Sequence, residues 1–159
     1  MIEIEHKYLL KNEEWREIAS DGVRYQQAYI STHRGGPTIR VRIAGSRGFI
    51  TLKGPRGGGQ GISRTEMEYE VPLGDAITMM KEFVDSPTID KIRHIAVYKG
   101  KTWEIDEFFG DNAGLCIAEI ELSSEDEEFD LPPWIGECVS LDRRYRNSKL
   151  ARDPFKDWG

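Results

Sequence analysis

The sequence predicts an α+β domain: about eight antiparallel strands with a few helices at the periphery. Three observations carry this expectation. Apolar and polar residues alternate with period two in runs at 2–10, 25–30, 38–44, 49–53, 63–71, 91–98, 102–108 and 115–122. Most joins between runs are short and turn-like, which suits antiparallel pairing. Helical patterns occupy only brief stretches between and after the runs.

Because strand side chains repeat every two positions, each run has two distinct faces. The first run sets Glu3, Glu5 and Lys7 against Ile4, His6 and Tyr8. Asn12 is then placed to cap a helix over 13–19. The second run carries Tyr29. The third sets Arg40 and Arg42 against Ile39, Val41 and Ile43, and the fourth ends on Lys53. The glycine-rich segment 54–61 lacks the Gly-Lys-Ser/Thr ending of a phosphate-binding loop and reads as a hairpin connection. Arg64, Glu66, Glu68 and Glu70 share one face of the fifth run, opposite Met67 and Tyr69. Gly74 or Asp75 opens a helix reaching 85. The last three runs bring Lys91 with Arg93, Glu104 with Asp106, and Glu119 with Glu121. Ser123 or Ser124 starts an acidic turn, and Asp142 is placed to cap a helix over 143–151.

Composition bounds the function. The 159 residues make one domain, 1–159, long enough to bury a core without disulfides or zinc. A net charge of −6 argues against a nucleic-acid surface. No apolar run approaches the ~18–20 residues of a membrane span. The N-terminus has acids where a signal peptide has bases, so a cytoplasmic location is expected. Cys116 and Cys138 are too few for a disulfide scaffold, and Cys116 reads as a small core residue. His6, His33 and His94 have no ligand spacing, and His6 and His94 fall on apolar faces.

The charged faces hold the chemistry. They total nine acids and seven bases, with apolar residues largely behind them. Two architectures fit: a sandwich or barrel whose charged face meets water, or one that encloses the charges. Within each strand the neighbouring charges mostly have like sign. At the roughly 6.5–7 Å between i and i+2, a like pair costs about 0.6 kcal/mol in water but about 2.4 kcal/mol at an effective dielectric of 20. Solvated strands tolerate this, whereas enclosed ones need counter-charges. Paired acids collect a hard divalent cation, and paired Arg and Lys collect a polyanion. A face carrying both suits a metal–polyphosphate complex.

Glu3-Ile4-Glu5-His6-Lys7 resembles the ExExK motif of the CYTH superfamily, the triphosphate tunnel metalloenzymes. The resemblance continues in order through Gln27-Ala28-Tyr29, Ile39-Arg40-Val41-Arg42, Thr51-Leu52-Lys53, Ser63 to Glu70, Lys91-Ile92-Arg93, Trp103 to Asp106 and Ala118 to Glu121. Pro133-Trp134-Ile135-Gly136, then Asp142 to Asn147 and Leu150, look like the small stand-alone bacterial members. Glu137-Cys138-Val139-Ser140 departs from the Glu-Glu-Val-Thr of that pattern, outside the ExExK core.

The resemblance implies a closed eight-stranded antiparallel barrel whose charged faces line a tunnel. Ile4, Val41, Ile43, Leu52, Met67, Tyr69, Ile105, Ile120 and Leu122 would then point outward beneath helices. It implies a divalent-metal-dependent hydrolase of tripolyphosphate, with Mg²⁺ or Mn²⁺ as cofactor. Glu3, Glu5, Glu119 and Glu121 would hold the metal, with Glu68, Glu104 and Asp106 at a second site or positioning water. Lys7, Arg40, Arg42, Lys53, Arg64, Lys91 and Arg93 would bind phosphates, and Lys91 with Tyr29 would orient water or aid the leaving group. A class IV adenylyl cyclase, a thiamine triphosphatase and a polyphosphate-binding module without turnover are the alternatives. The cyclase ranks lower because little chain precedes ExExK. The partner is a small-molecule triphosphate. Phe155 and Trp158 pack either on the barrel or against a second copy in a homodimer.

Overall fold

The computed structural model describes residues 2–30, 37–55 and 61–158. His33 and most of the glycine-rich segment lie outside the described residues. The strands are β1 (Ile2–Leu10), β2 (Val23–Ile30), β3 (Thr38–Ala44), β4 (Arg47–Lys53), β5 (Ser63–Val71), β6 (Ile89–Tyr98), β7 (Lys101–Phe108), β8 (Cys116–Glu121) and β9 (Ile135–Cys138), with helices α1 (Leu73–Glu82) and α2 (Asn147–Arg152). Several predicted strands start earlier than the alternation suggests. The reason at β6–β7 is a two-residue turn in which Lys99 and Gly100 both adopt positive φ, +46° and +78°. That geometry matches strand twist and lets pairing run to Tyr98 and Lys101.

Strand order is β5-β4-β3-β2-β6-β7-β8-β1-β9, and β1 also pairs with β5. The first eight strands therefore close into an antiparallel barrel. Closure rests on Ile2, Glu3 and Ile4 of β1 against Thr65, Arg64 and Ser63 of β5, while Glu5 to Leu9 pair with β8. Beyond the β5 contact, β9 takes up the end of β1 at Tyr8 and Leu10. This ninth strand follows Pro132-Pro133 and is too short for its alternation to stand out in the sequence. Ser140 just after it accepts a hydrogen bond from the backbone N–H of Lys7 at 2.9 Å.

The main core lies outside the barrel. Trp103 stacks edge-on with Tyr8, Phe129 and Trp134 at centroid distances of 5.8–5.9 Å, over Ile105, Ala118 and Ile120. Short 3₁₀ turns and the 129–135 segment cover this face, where helices were expected. Asn12 accepts from the N–H of Glu14, but the turn it starts is a single 3₁₀ stretch, Glu14–Glu17. His94 packs on Trp15, and His6 on Phe129, as their apolar faces predict. Cys116 is half-buried, and burial pushes its thiol up to about 11. Met67 and Tyr69 point outward but remain uncovered, at 45% and 55% exposure.

Helix α1 covers β3 and β4 instead. It sits close to Gly48, where a Cβ would lie 2.6 Å from the Cβ of Ala76. The helix predicted over 143–151 splits. Asp142 accepts from the N–H of Arg144 to start a 3₁₀ turn, Arg146 is extended, and only then does α2 begin. Helix α2 seals one end of the barrel with Leu150 and Ala151, against a floor of Tyr29, Ile89, Phe108 and Ile117. The tail folds back here too: Trp158 lies edge-on to Tyr145 at 5.2 Å and donates to the carbonyl of Asp153. Phe155 and Trp158 thus pack on the chain's own barrel.

Gly48→Ala should lower the melting temperature, because α1 must shift to admit the methyl group. Overpacking of this kind costs roughly 1–3 kcal/mol, about 2–10 °C for a chain of this size. A melting curve superimposable on the wild type would show that α1 is not seated against Gly48.

Candidate active site

Inside the barrel the same gradient repeats on four adjacent strands. From the sealed floor outward, β1 presents Leu9, Lys7, Glu5, Glu3; β8 presents Ile117, Glu119, Glu121; β7 presents Phe108, Asp106, Glu104; β6 presents Ile89, Lys91, Arg93. Each follows from period-two alternation. The inward face ends in an apolar residue, which the charged pattern alone does not reveal.

Above the floor is a cavity of about 200 Å³. Its walls carry Glu3, Glu5, Glu119 and Glu121, with Glu68 and Glu104; Lys7, Arg40, Arg42, Lys53, Arg64 and Arg93; and Tyr29. All the residues given a site role from sequence thus converge here except Lys91 and Asp106, which lie deeper on the same inward faces, between the cavity and the floor. Lys91 is fully buried and donates to Asp106 at 2.7 Å and to Asn147 at 3.0 Å. Asp106 also accepts two hydrogen bonds from Arg93, at 2.8 and 2.9 Å. Glu70 lies outside the cavity, paired with Arg47 at the surface. The sequence reading assigned no role to Glu66, Thr38, Arg146, Asn147 or Ser148, which also line it. Glu66 was legible from its place on the charged face of β5. The last three were not, because only tertiary packing brings the start of α2 to the tunnel.

The basic and acidic residues are arranged unequally. Lys53 bridges Glu3 at 3.0 Å and Glu66 at 3.7 Å, and Lys7 faces Glu119 at 3.6 Å. Arg93 is spanned by Asp106 and Glu104. Arg40 is nearly buried, donating to Thr51 at 3.2 Å and standing 3.8 Å from Glu68. Arg42, equally enclosed, gives its Nε to the neutral amide of Gln27 at 2.8 Å and lies over the Tyr25 ring at 4.7 Å. Burial, then the neighbouring Arg40 and Arg93, push Arg42 down to about 9, so it stays charged at neutral pH. An anion placed here relieves that repulsion.

Across the cavity the carboxylates crowd each other. Glu5 stands opposite Glu121 on β1 and β8, and Glu104 opposite Glu119 on β7 and β8. Burial, then Glu119 and Glu3, push Glu5 up to about 8. Burial also raises Glu3, Glu104 and Glu121. Glu119 goes the other way: burial opposes ionisation, but Lys7 and Arg93 outweigh it and hold it at about 2. Arg93 and Lys91 likewise overcome the burial of Asp106 and hold it well below the usual range. Burial lowers Lys91 to about 7 despite Asp106.

Carboxylates that disfavour their own ionised forms are the donor set an oxygen-seeking divalent cation satisfies. Among the described residues no three of them already form a closed cage. Mg²⁺ does not require one, since it commonly takes one or two carboxylates and completes its shell with water and phosphate oxygens. The geometry therefore offers one enclosed space with a wall of crowded carboxylates, a wall of basic side chains and a sealed floor.

Known proteins share both sequence and shape. The chain is 42% identical over 156 residues to an inorganic triphosphatase of Acetivibrio thermocellus, spanning 98% of this chain and 97% of that one. It is 32% identical over 154 residues to an inorganic triphosphatase of Nitrosomonas europaea, spanning 95% and 97%. A solved structure of an inorganic triphosphatase superposes with a TM-score of 0.64 at 29% identity, covering 94% of this chain and 93% of that chain. The CYTH domain family matches residues 1–153, which takes in every strand of the barrel and the helix that seals it. By sequence and by architecture, the chain belongs to the CYTH domain family.

Proposed function

We propose that this protein is a divalent-cation-dependent triphosphatase that hydrolyses tripolyphosphate to pyrophosphate and orthophosphate. The observation that carries the reading is the enclosed pair Arg40 and Arg42, with Arg42 held by an amide, facing Glu5 and its crowded carboxylate neighbours. The relatives at 42% and 32% identity bear the name inorganic triphosphatase, which supports the substrate class.

In this reading Arg40, Arg42, Arg93, Lys7, Lys53 and Arg64 bind the phosphoryl groups and fix the chain in line for attack. Water attacks the terminal phosphorus, the bridging P–O bond breaks, and its electrons leave with the pyrophosphate oxygen. Glu3, Glu5, Glu119 and Glu121 would hold Mg²⁺ or Mn²⁺, which neutralises charge on the transferring group when bound. Glu68, Glu104 and Glu66 are the remaining acids able to orient water, and Tyr29 is the hydroxyl at hand for the phosphates. Lys91 and Asp106 act from below the cavity: their ion pair aims the Arg93 guanidinium. The direct test is orthophosphate release from tripolyphosphate with Mg²⁺ or Mn²⁺ and its loss with chelator. Cyclic AMP from ATP, or bound ligand without release, would overturn the reading.

Glu5→Gln should abolish metal-dependent turnover while the protein stays folded; a fully active variant would remove Glu5 from the metal set.

The same variant tests the electrostatics. Glu5 binds its proton more tightly in the folded protein, so its contribution is present below the ordinary carboxylate pKa of about 4.5 and is lost as pH rises toward about 8. The loss is on the order of 1.4 kcal/mol per pH unit in that window. Without cation, Glu5→Gln should therefore gain melting temperature over wild type at pH 7 but not at pH 4.5. A difference independent of pH would contradict the crowding.

Chain length is the third test. Each charge-assisted contact is worth about 1.5–3 kcal/mol, so losing a phosphoryl group with two contacts costs over about a hundredfold. Pyrophosphate should be hydrolysed far more slowly than tripolyphosphate, and Arg42→Ala should narrow the preference in kcat/KM. Comparable wild-type values would indicate a general phosphatase pocket.

A further inference from the structure

Gln27 shares the inward face of β2 with Tyr29 but is fully buried and does not itself line the cavity, yet both of its polar contacts are cavity-lining residues. Its side-chain oxygen is 2.8 Å from Arg42 Nε, and its side-chain nitrogen is 2.9 Å from Tyr29 Oη. A guanidinium has only donors, so the amide oxygen must face Arg42 and the NH₂ must face Tyr29. The phenol oxygen is therefore the acceptor in that bond, and its own proton points elsewhere. The Tyr29 ring packs in the apolar floor with Ile89, Phe108 and Ile117, which leaves the tunnel as the polar surrounding for that proton.

We propose that Gln27 is a positioning residue for polyphosphate: it fixes Arg42 and turns the Tyr29 hydroxyl proton into the tunnel, where it donates to a phosphate oxygen. This rests on the triphosphatase reading above. It also explains an amide at this position. A carboxylate would satisfy Arg42 equally well, but it would neutralise the guanidinium and demand the tyrosine proton for itself. The amide leaves both donors available to the anion.

The test is a double-mutant cycle in kcat and KM for tripolyphosphate with Mg²⁺, with thermal melting recorded for each variant. Tyr29→Phe should raise KM about tenfold or more, as expected for a hydrogen bond to a charged group. Gln27→Met, close in volume, should raise KM at least as much, because it also frees Arg42. In that background Tyr29→Phe should cost less than about twofold, since the proton is already misdirected. Gln27→Glu keeps an acceptor for Arg42 and repeats the cycle if the methionine variant fails to fold. A merely structural role would lower the active fraction, and with it kcat, while leaving KM unchanged. A wild type inactive on tripolyphosphate would overturn the triphosphatase reading. An active wild type in which Tyr29→Phe costs the same factor whatever stands at position 27 would overturn the role of Gln27 alone.

Discussion

Enclosing like charges inside a closed sheet is the constraint on which the rest of this structure depends. Each strand delivers its charged face inward, and away from bulk water every like pair becomes costly. Lys53 between Glu3 and Glu66, Lys7 beside Glu119, and Arg93 spanned by Asp106 and Glu104 offset part of that cost across strands. What they leave unbalanced is spatially separated, with Arg42, held only by a neutral amide, on β3 and Glu5 with Glu121 on β1 and β8. That residue of charge is what a polyanion and a cation would jointly neutralise.

A polar interior forces the apolar core elsewhere. The side chains that would fill a small barrel lie on its outer face, where Trp103 and its aromatic neighbours form the largest cluster. Covering that face takes no long helix; 3₁₀ turns and the 129–135 segment suffice, because large aromatic rings bury much area per residue. The second cluster is inside and has a different task. It turns one end of the tunnel into a floor and lets α2 carry Asn147 to within hydrogen-bonding distance of Lys91.

The charged residues accordingly fall into two tiers. Those lining the cavity border its open space, whereas Lys91 and Asp106 are enclosed and satisfied by partners within the protein. Gln27 belongs to the hidden tier as well, neutral where a charge would cancel the guanidinium it orients.

Much of this arrangement is legible in the sequence. Period-two alternation determines which side chains share a strand face, so the strands and the inward company of Glu3, Glu5 and Lys7, or of Arg40 and Arg42, are properties of local sequence. Alternation is blind to which face is inside: the charged side turned inward only by resemblance to a family, and closure between β1 and β5 is what realises it. It is equally blind to depth along a strand, so it could not separate Lys91 and Asp106 from the cavity, nor see that Ile89, Phe108 and Ile117 end the same faces as a floor. Ser148, Asn147 and Arg146 reach the site from far along the chain, and β9 owes its existence to the end of β1 it pairs with. Pattern along the chain is set by backbone geometry, which repeats; contact across the chain is set by closure and packing, which decide only in three dimensions where each face lies.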